Sequence, residues 1–186
     1  RTELKFDFAE TSGNSSQEIH EASPNLLNFE TLSGSGGIDK SNLTFTAGGG
    51  VNSYKVTWTD GKSVIQNALS ERLVVKIKVK ILESATVTQN TYFRLSLYNL
   101  TKGRTMAWCD VQCAAGTIYE AGQELSNAKT NSVITNYEEG DEVCLYFYTP
   151  AAESGYVKAE FSNIMISTSN VDYEPYREKT PTLLNP

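Results

Sequence analysis

Side chains able to do acid–base or nucleophilic work are sparse in this chain. The single histidine, His20, follows a polar run, Glu10-Thr11-Ser12-Gly13-Asn14-Ser15-Ser16-Gln17. A Ser-His-Asp or Cys-His centre needs its histidine held by a third group in a packed cleft, and a polar arm offers none. Cys109, Cys113 and Cys144 make neither a disulfide framework nor closely spaced pairs of metal ligands. In an extended chain the Cα atoms of Cys109 and Cys113 stand roughly 13 Å apart, past the ~7 Å limit for a bridge. They read as small, partly buried thiols of a protein made in a reducing compartment. A glycoside hydrolase needs only two carboxylates at a suitable separation. Glu83, Asp110, Glu120, Glu124 and Glu160 qualify by type, but no spacing brings two together, and among 22 acidic residues they read as solvated charge. The acidic turn Glu138-Glu139-Gly140-Asp141-Glu142 reads as a solvated loop that discourages edge pairing, and it lacks a calcium-loop pattern. The expected catalytic set and the expected metal set are both empty.

Aromatic residues offer more chemistry: the chain holds 10 Tyr, 7 Phe and 2 Trp. In Tyr92-Phe93-Arg94-Leu95-Ser96-Leu97-Tyr98-Asn99, period-2 alternation puts Phe93, Leu95 and Leu97 in the core and Tyr92, Arg94, Ser96 and Tyr98 outside. In Val143-Cys144-Leu145-Tyr146-Phe147-Tyr148 it puts Val143, Leu145 and Phe147 inside and Tyr146 and Tyr148 outside. Large rings on a wet face mark a binding surface. Sugars suit such rings, because pyranose C–H faces pack on aromatic faces while hydroxyls take amide or charged partners, here Arg94 and Asn99. The plainer role is cross-strand pairing worth about 0.2–1 kcal/mol each. Trp58 shares a face with Tyr54 and Val56 and reads as core. Trp108 lies beside Met106 and opposite Thr105, Ala107 and Cys109, where alternation leaves its side open. The expected binding set is Tyr92, Arg94, Tyr98, Asn99, Trp108, Tyr146 and Tyr148.

These residues need a rigid sheet. Leu73, Val75, Ile77, Val79 and Ile81 alternate with Lys76, Lys78 and Lys80, the signature of an antiparallel strand with one solvated face. Further strands are expected at 26–31, 42–47, 53–59, 104–111, 116–120, 131–136 and 156–167, with a short helical turn near 63–69. Roughly ten short strands without helical crossovers imply an antiparallel double sheet. A length of 186 residues suits one domain with a tail. Residues 1–23 read as an arm or the end of a preceding domain, 24–176 as the folded module, and 177–186 as a linker to a further domain. A net charge of −6 opposes nucleic acid, which needs a dense Lys/Arg footprint. No apolar run reaches the roughly 18–20 residues of a bilayer span, and no export signal is expected.

Four stretches carry a family resemblance: Pro24-Asn25-Leu26-Leu27-Asn28-Phe29-Glu30, Ser53-Tyr54-Lys55-Val56, Phe161-Ser162-Asn163-Ile164-Met165-Ile166 and Asp172-Tyr173-Glu174-Pro175-Tyr176. Together they resemble carbohydrate-binding-module-like jelly rolls in tail and baseplate proteins of phages and prophages of Gram-positive hosts. The Tyr-Glu-Pro-Tyr close is shared with those phage proteins, and the Asn-Leu-Leu opening more widely with carbohydrate-binding modules. Leu183-Leu184-Asn185 echoes that opening, as if another module began there. The resemblance implies an all-β, antiparallel β-sandwich of jelly-roll type. It further implies a non-catalytic, virion-borne domain that aids adsorption to cell-wall polysaccharide outside the host. Its expected partners are a cell-surface polysaccharide or oligosaccharide and other tail or baseplate subunits, with no nucleic acid and no membrane. The alternative is a structural spacer or assembly module without a glycan ligand. The chain lacks the obvious tryptophan pair of cellulose- and xylan-binding relatives, so their platform residues do not carry over. Glu30 resembles a position that helps hold a structural calcium in some related jelly rolls, but its partners are not identifiable, and no cofactor is expected.

Overall fold

The computed structural model describes residues 23–69 and 71–178. The expected arm at 1–23 and linker at 177–186 lie outside the described residues, save Ser23, Arg177 and Glu178. Strands follow in the order β1 (Leu32–Ser33), β2 (Ile38–Asp39), β3 (Thr44–Gly49) and β4 (Ser53–Trp58), then helix α1 (Gly61–Asn67). After it come β5 (Arg72–Ile81), β6 (Ala85–Thr86), β7 (Thr91–Asn99), β8 (Arg104–Cys113) and β9 (Ile118–Tyr119). The last are β10 (Glu124–Val133), β11 (Val143–Tyr148), β12 (Ala151–Ala152) and β13 (Gly155–Ser167). One sheet has the order β1-β4-β11-β7-β8, and the other β10-β5-β13-β3-β2 with β12 on β13. A small β6-β9 ribbon stands apart, and the strand pairings among the described residues are antiparallel throughout. The protein is an all-β sandwich.

Alternation builds the core between the sheets. Leu73, Val75, Ile77, Val79 and Ile81 of β5 are buried, as are Phe93, Leu95 and Leu97 of β7 and Leu145 and Phe147 of β11. Phe147 joins the layers: its ring stacks on Phe45 of β3 at 4.1 Å and meets Phe161 of β13 edge-on at 5.2 Å. Each such buried ring contributes about 1.5–3 kcal/mol. Trp58 lies in this core, and Gly61 lets α1 start against it, because a Cβ there would come within 2.8 Å of the indole and 2.6 Å of Val143. Among the described residues no helix is long and apolar enough to cross a membrane.

Three expected strands differ for identifiable reasons. At 26–31 there is no long strand but a 3-10 turn at Phe29–Thr31, because the Asn25 and Asn28 side chains accept the N–H groups of Leu27 and Glu30 that a ladder would use. The strand expected at 131–136 instead runs from Glu124 to Val133; it is the edge of its sheet, with a bulge between Ser126 and Ala128. The strand expected at 42–47 starts at Thr44 and continues through Gly48 and Gly49, whose positive φ values of 98° and 81° extend it where other residues would strain. The turn expected near 63–69 is α1, starting two residues earlier.

Asn25 closes the domain at its ends. Its Nδ2 donates to the carbonyls of Ile164 and Glu174, both at 3.1 Å, and its Oδ1 accepts from the N–H groups of Leu27 and Ile166, both at 3.1 Å. The opening, the β13 segment and the Tyr-Glu-Pro-Tyr segment thus meet at one buried amide.

Candidate functional site

The outer surface of the first sheet gathers most of the expected binding residues. Register places Ser53, Tyr148, Arg94 and Asp110 in one row across β4, β11, β7 and β8, and Lys55, Tyr146, Ser96 and Trp108 in the next. A third row holds Thr57, Cys144, Tyr98 and Thr105. Because β7 and β11 are central strands, their tyrosines sit mid-sheet on a backbone held from both sides.

The rings pair diagonally. Tyr98 and Tyr146 have centroids 5.4 Å apart, and Tyr92 and Tyr148 5.5 Å apart. Cations interleave with them: Lys55 Nζ lies 5.4 Å from the Tyr98 centroid and 6.0 Å from that of Tyr146. The Arg94 guanidinium lies 3.8 Å from the Tyr92 centroid and 5.5 Å from that of Trp108. Arg94 is also clamped by Asp110, with Nε and Nη2 donating to the two carboxylate oxygens at 2.5 and 2.7 Å. That hydrogen bonding raises the Arg94 pKa above its ordinary value, against the opposing pull of burial. All four tyrosines are half-buried.

Trp108 is 41% exposed on this same surface. A bulge between Leu97 and Tyr98 explains why alternation left its side open: Met106 is an extra buried residue that shifts the phase within β8. Asn99 is the exception, and the structure corrects its placement. It shares the parity of Phe93, Leu95 and Leu97 and is fully buried, away from the tyrosines. Its Nδ2 donates to the Asn136 carbonyl at 2.7 Å and to Asp141 Oδ2 at 2.6 Å, and its Oδ1 accepts from the Lys102 N–H at 3.0 Å. Those bonds brace the acidic turn and leave the amide nothing to offer a ligand.

Two residues join the surface beyond those expected. Lys55 was legible, since it alternates against Tyr54, Val56 and Trp58. Asp110 follows from Trp108 by the same two-residue step, but only once the bulge is known. Ser96 and Cys144, each 1% exposed, form the floor between the larger side chains. Burial pushes the Cys144 thiol up to about 11, with Lys55 pulling the other way.

At Glu30 the residues present do not suit a calcium ion. The Lys40 ammonium donates to the Glu30 carbonyl at 2.8 Å and sits 3.8 Å from its carboxylate, so a cation already faces both oxygens. Of the residues considered for hydrolysis, Asp110 bonds Arg94 and Gln112, Glu83 pairs with Lys158, Glu120 with Ser84 and Glu124 with Lys78. The chain matches no protein-family model, no curated protein and no solved structure.

Proposed function

We propose that this chain is a non-catalytic carbohydrate-binding module, of jelly-roll type, from a phage tail or baseplate protein, aiding adsorption to host cell-wall polysaccharide. One observation carries the binding part: Tyr92, Tyr98, Tyr146, Tyr148 and Trp108 share one outer sheet surface with Arg94 and Lys55 between them. Rings already held by diagonal contacts lose little further rotamer freedom when a ligand packs on them, which suits pyranose stacking. The phage context rests on the resemblance of the opening and closing motifs alone. An open surface buries little of a sugar, so each site binds weakly and many copies on one particle supply the avidity.

The spacer reading is favoured by the saturation of Arg94, whose guanidinium already serves Asp110 and two rings. A surface satisfied within itself is what pure sheet stabilisation would produce. Cell-wall pull-down and fluorescence titration separate the readings. Of the two tryptophans, Trp58 is buried and Trp108 exposed, so collisional quenching reports on Trp108 alone. Cell-wall polysaccharide is expected to shield Trp108 saturably. Replacing Tyr98 and Tyr146 together by Ala removes two contacts of about 1 kcal/mol each, weakening binding roughly thirtyfold. A folded double variant that binds as well as the parent would defeat the assignment, and polysaccharide that neither binds nor shields Trp108 would leave the spacer.

A further inference from the structure

The four tyrosines of the sheet surface fall into two groups along the strands. On the ladder between β7 and β11, Tyr146 stands opposite Ser96 and Tyr148 opposite Arg94. The Tyr98 and Tyr146 pair therefore occupies the level of residues 96–98, and the Tyr92 and Tyr148 pair that of residues 92–94. The centres of the pairs are thus separated by about 13 Å along the strands, at 3.2–3.4 Å per residue. No register shift interrupts the pairing of β7 with β11 between Val143 and Tyr148, and each of these strands has a neighbour on both sides. The spacing is therefore held by the backbone of the sheet.

One sugar ring cannot serve both pairs. Centroids within the pairs lie 5.4 and 5.5 Å apart, and six-membered rings in contact sit about 4.5–7 Å apart between centres. A pyranose that packs on one pair therefore ends well short of the other, because the gap holds about two to three such spacings. None of the four tyrosines is buried. Trp108, 41% exposed, lies in the same row as Tyr146 and Ser96, beside the first pair. At the second pair Arg94, held by Asp110, packs at 3.8 Å from the Tyr92 centroid.

We propose that the surface takes an internal segment of a linear glycan, about three to four sugars long, lying along the strands. One sugar packs on the Tyr98 and Tyr146 pair, and another, further along the same chain, on the Tyr92 and Tyr148 pair. The ligand class is thus an extended polymer and not a free sugar or a branch tip. A chain that reaches both pairs makes its second contact intramolecularly, so its affinity exceeds that of either pair alone. A sugar that reaches only one pair gains nothing from the other. The choice of a glycan rests on the function proposed above; the spacing of the two pairs does not.

The test is a length series. Cell-wall polysaccharide is partly hydrolysed, its fragments are sorted by size from single sugars upward, and each is titrated into the isotope-labelled full chain while Trp108 shielding and the tyrosine ring signals by NMR are followed. Affinity should rise up to about three to four sugars and change little beyond. Two double variants divide the surface: Tyr98→Ala with Tyr146→Ala, and Tyr92→Ala with Tyr148→Ala. Each should weaken the polymer about thirtyfold, for two lost contacts of about 1 kcal/mol each, and abolish the rise with length. For single sugars the association constants left in the two variants should add up to that of the parent, as for independent sites. The series on the parent needs no variant, so a variant that unfolds leaves the test standing. Single sugars that bind as tightly as long fragments overturn the inference, as does a rise that begins only in fragments much longer than the two pairs, or a folded double variant that keeps the rise. Each of these results retains polysaccharide binding and so spares the function proposed above. Polysaccharide that does not bind at all removes that function and this inference with it.

Discussion

Replacing Asn25 by Ala should produce the largest stability loss of any single polar substitution considered for this domain. The amide makes four hydrogen bonds, to Leu27, Ile164, Ile166 and Glu174, and the residue is 2% exposed. At about 0.5–1.5 kcal/mol net for each bond, the loss is about 2–6 kcal/mol. For a chain of this size each kcal/mol moves the thermal midpoint by about 2–4 °C, so a 4 kcal/mol loss lowers it by about 8–16 °C. Thermal and urea melts measure this, with an unchanged denaturant slope showing that the two end states are the same. Asn25→Asp adds a second arm. Its carboxylate keeps the two accepting bonds but faces the Ile164 and Glu174 carbonyls, so its folded pKa is raised above the unfolded value of about 3.9. A raised folded pKa means stability that is full below the unfolded value and lost as pH climbs through the folded one. The Asp variant should therefore approach the parent in acid and fall away from it at neutral pH, while the Ala variant keeps a constant deficit. A midpoint shift under about 2 °C for Ala, or an Asp variant whose deficit ignores pH, would refute the view that one amide ties the ends of the domain together.

Two further outcomes follow from buried titratable groups. Burial pushes Cys109 up to about 12 and Cys144 up to about 11, and raises Cys113 as well, so the folded chain should take up no iodoacetamide at a pH near 8 and the unfolded chain should react at all three thiols; native labelling of Cys144 would show that Lys55 and the tyrosines leave it open. Asp141 is held below the usual carboxylate range by the Glu138 N–H, then by Asn99 and Lys102. Its contribution is present above about 3.9, the unfolded value, and is lost as pH falls through the lower folded one, so Asp141→Asn should flatten the acid limb of a urea-midpoint profile, and an unaltered limb would count against that bracing role.

The strands that position the tyrosine surface were legible because β5, β7 and β11 each pack one face on the core, and a single solvated face leaves a strict two-residue rhythm. Tyr92, Tyr98, Tyr146 and Tyr148 could be placed from that rhythm alone. Trp108 could not, because the bulge beside Met106 adds a residue, and no local residue type announces a bulge of that kind. Asn99 went astray for a different reason: its parity already pointed inward, but a polar residue at a strand end suggests solvent unless the loop that will satisfy it is known. Asn136 and Asp141, its partners, lie 37 and 42 positions away.

Apart from Lys55, the residues that carry the family resemblance and the residues that carry the binding argument are disjoint. Asn25, Ile164, Ile166 and Glu174 explain each other through hydrogen bonds, while Tyr173 and Tyr176 line a cleft with Leu27 and Phe29. Nothing in that arrangement calls for a ligand, so a chain could keep these motifs to close its ends while its sheet surface changed freely. The tyrosines, Arg94 and Lys55 lie instead on β4, β7 and β11, and with Trp108 of β8 they form no bond to the Asn25 cluster. Substitutions at Asn25 should then lower the melting midpoint of the domain while leaving the affinity of the folded fraction unchanged. Substitutions at Tyr98 and Tyr146 should do the reverse, because rings that pair only with each other and with surface cations carry little of the core. Coupling between the two, seen as an Asn25 variant that is folded but no longer shields Trp108, would mean that end closure sets the shape of the sheet, and the surface would have to be understood as one face of a strained whole.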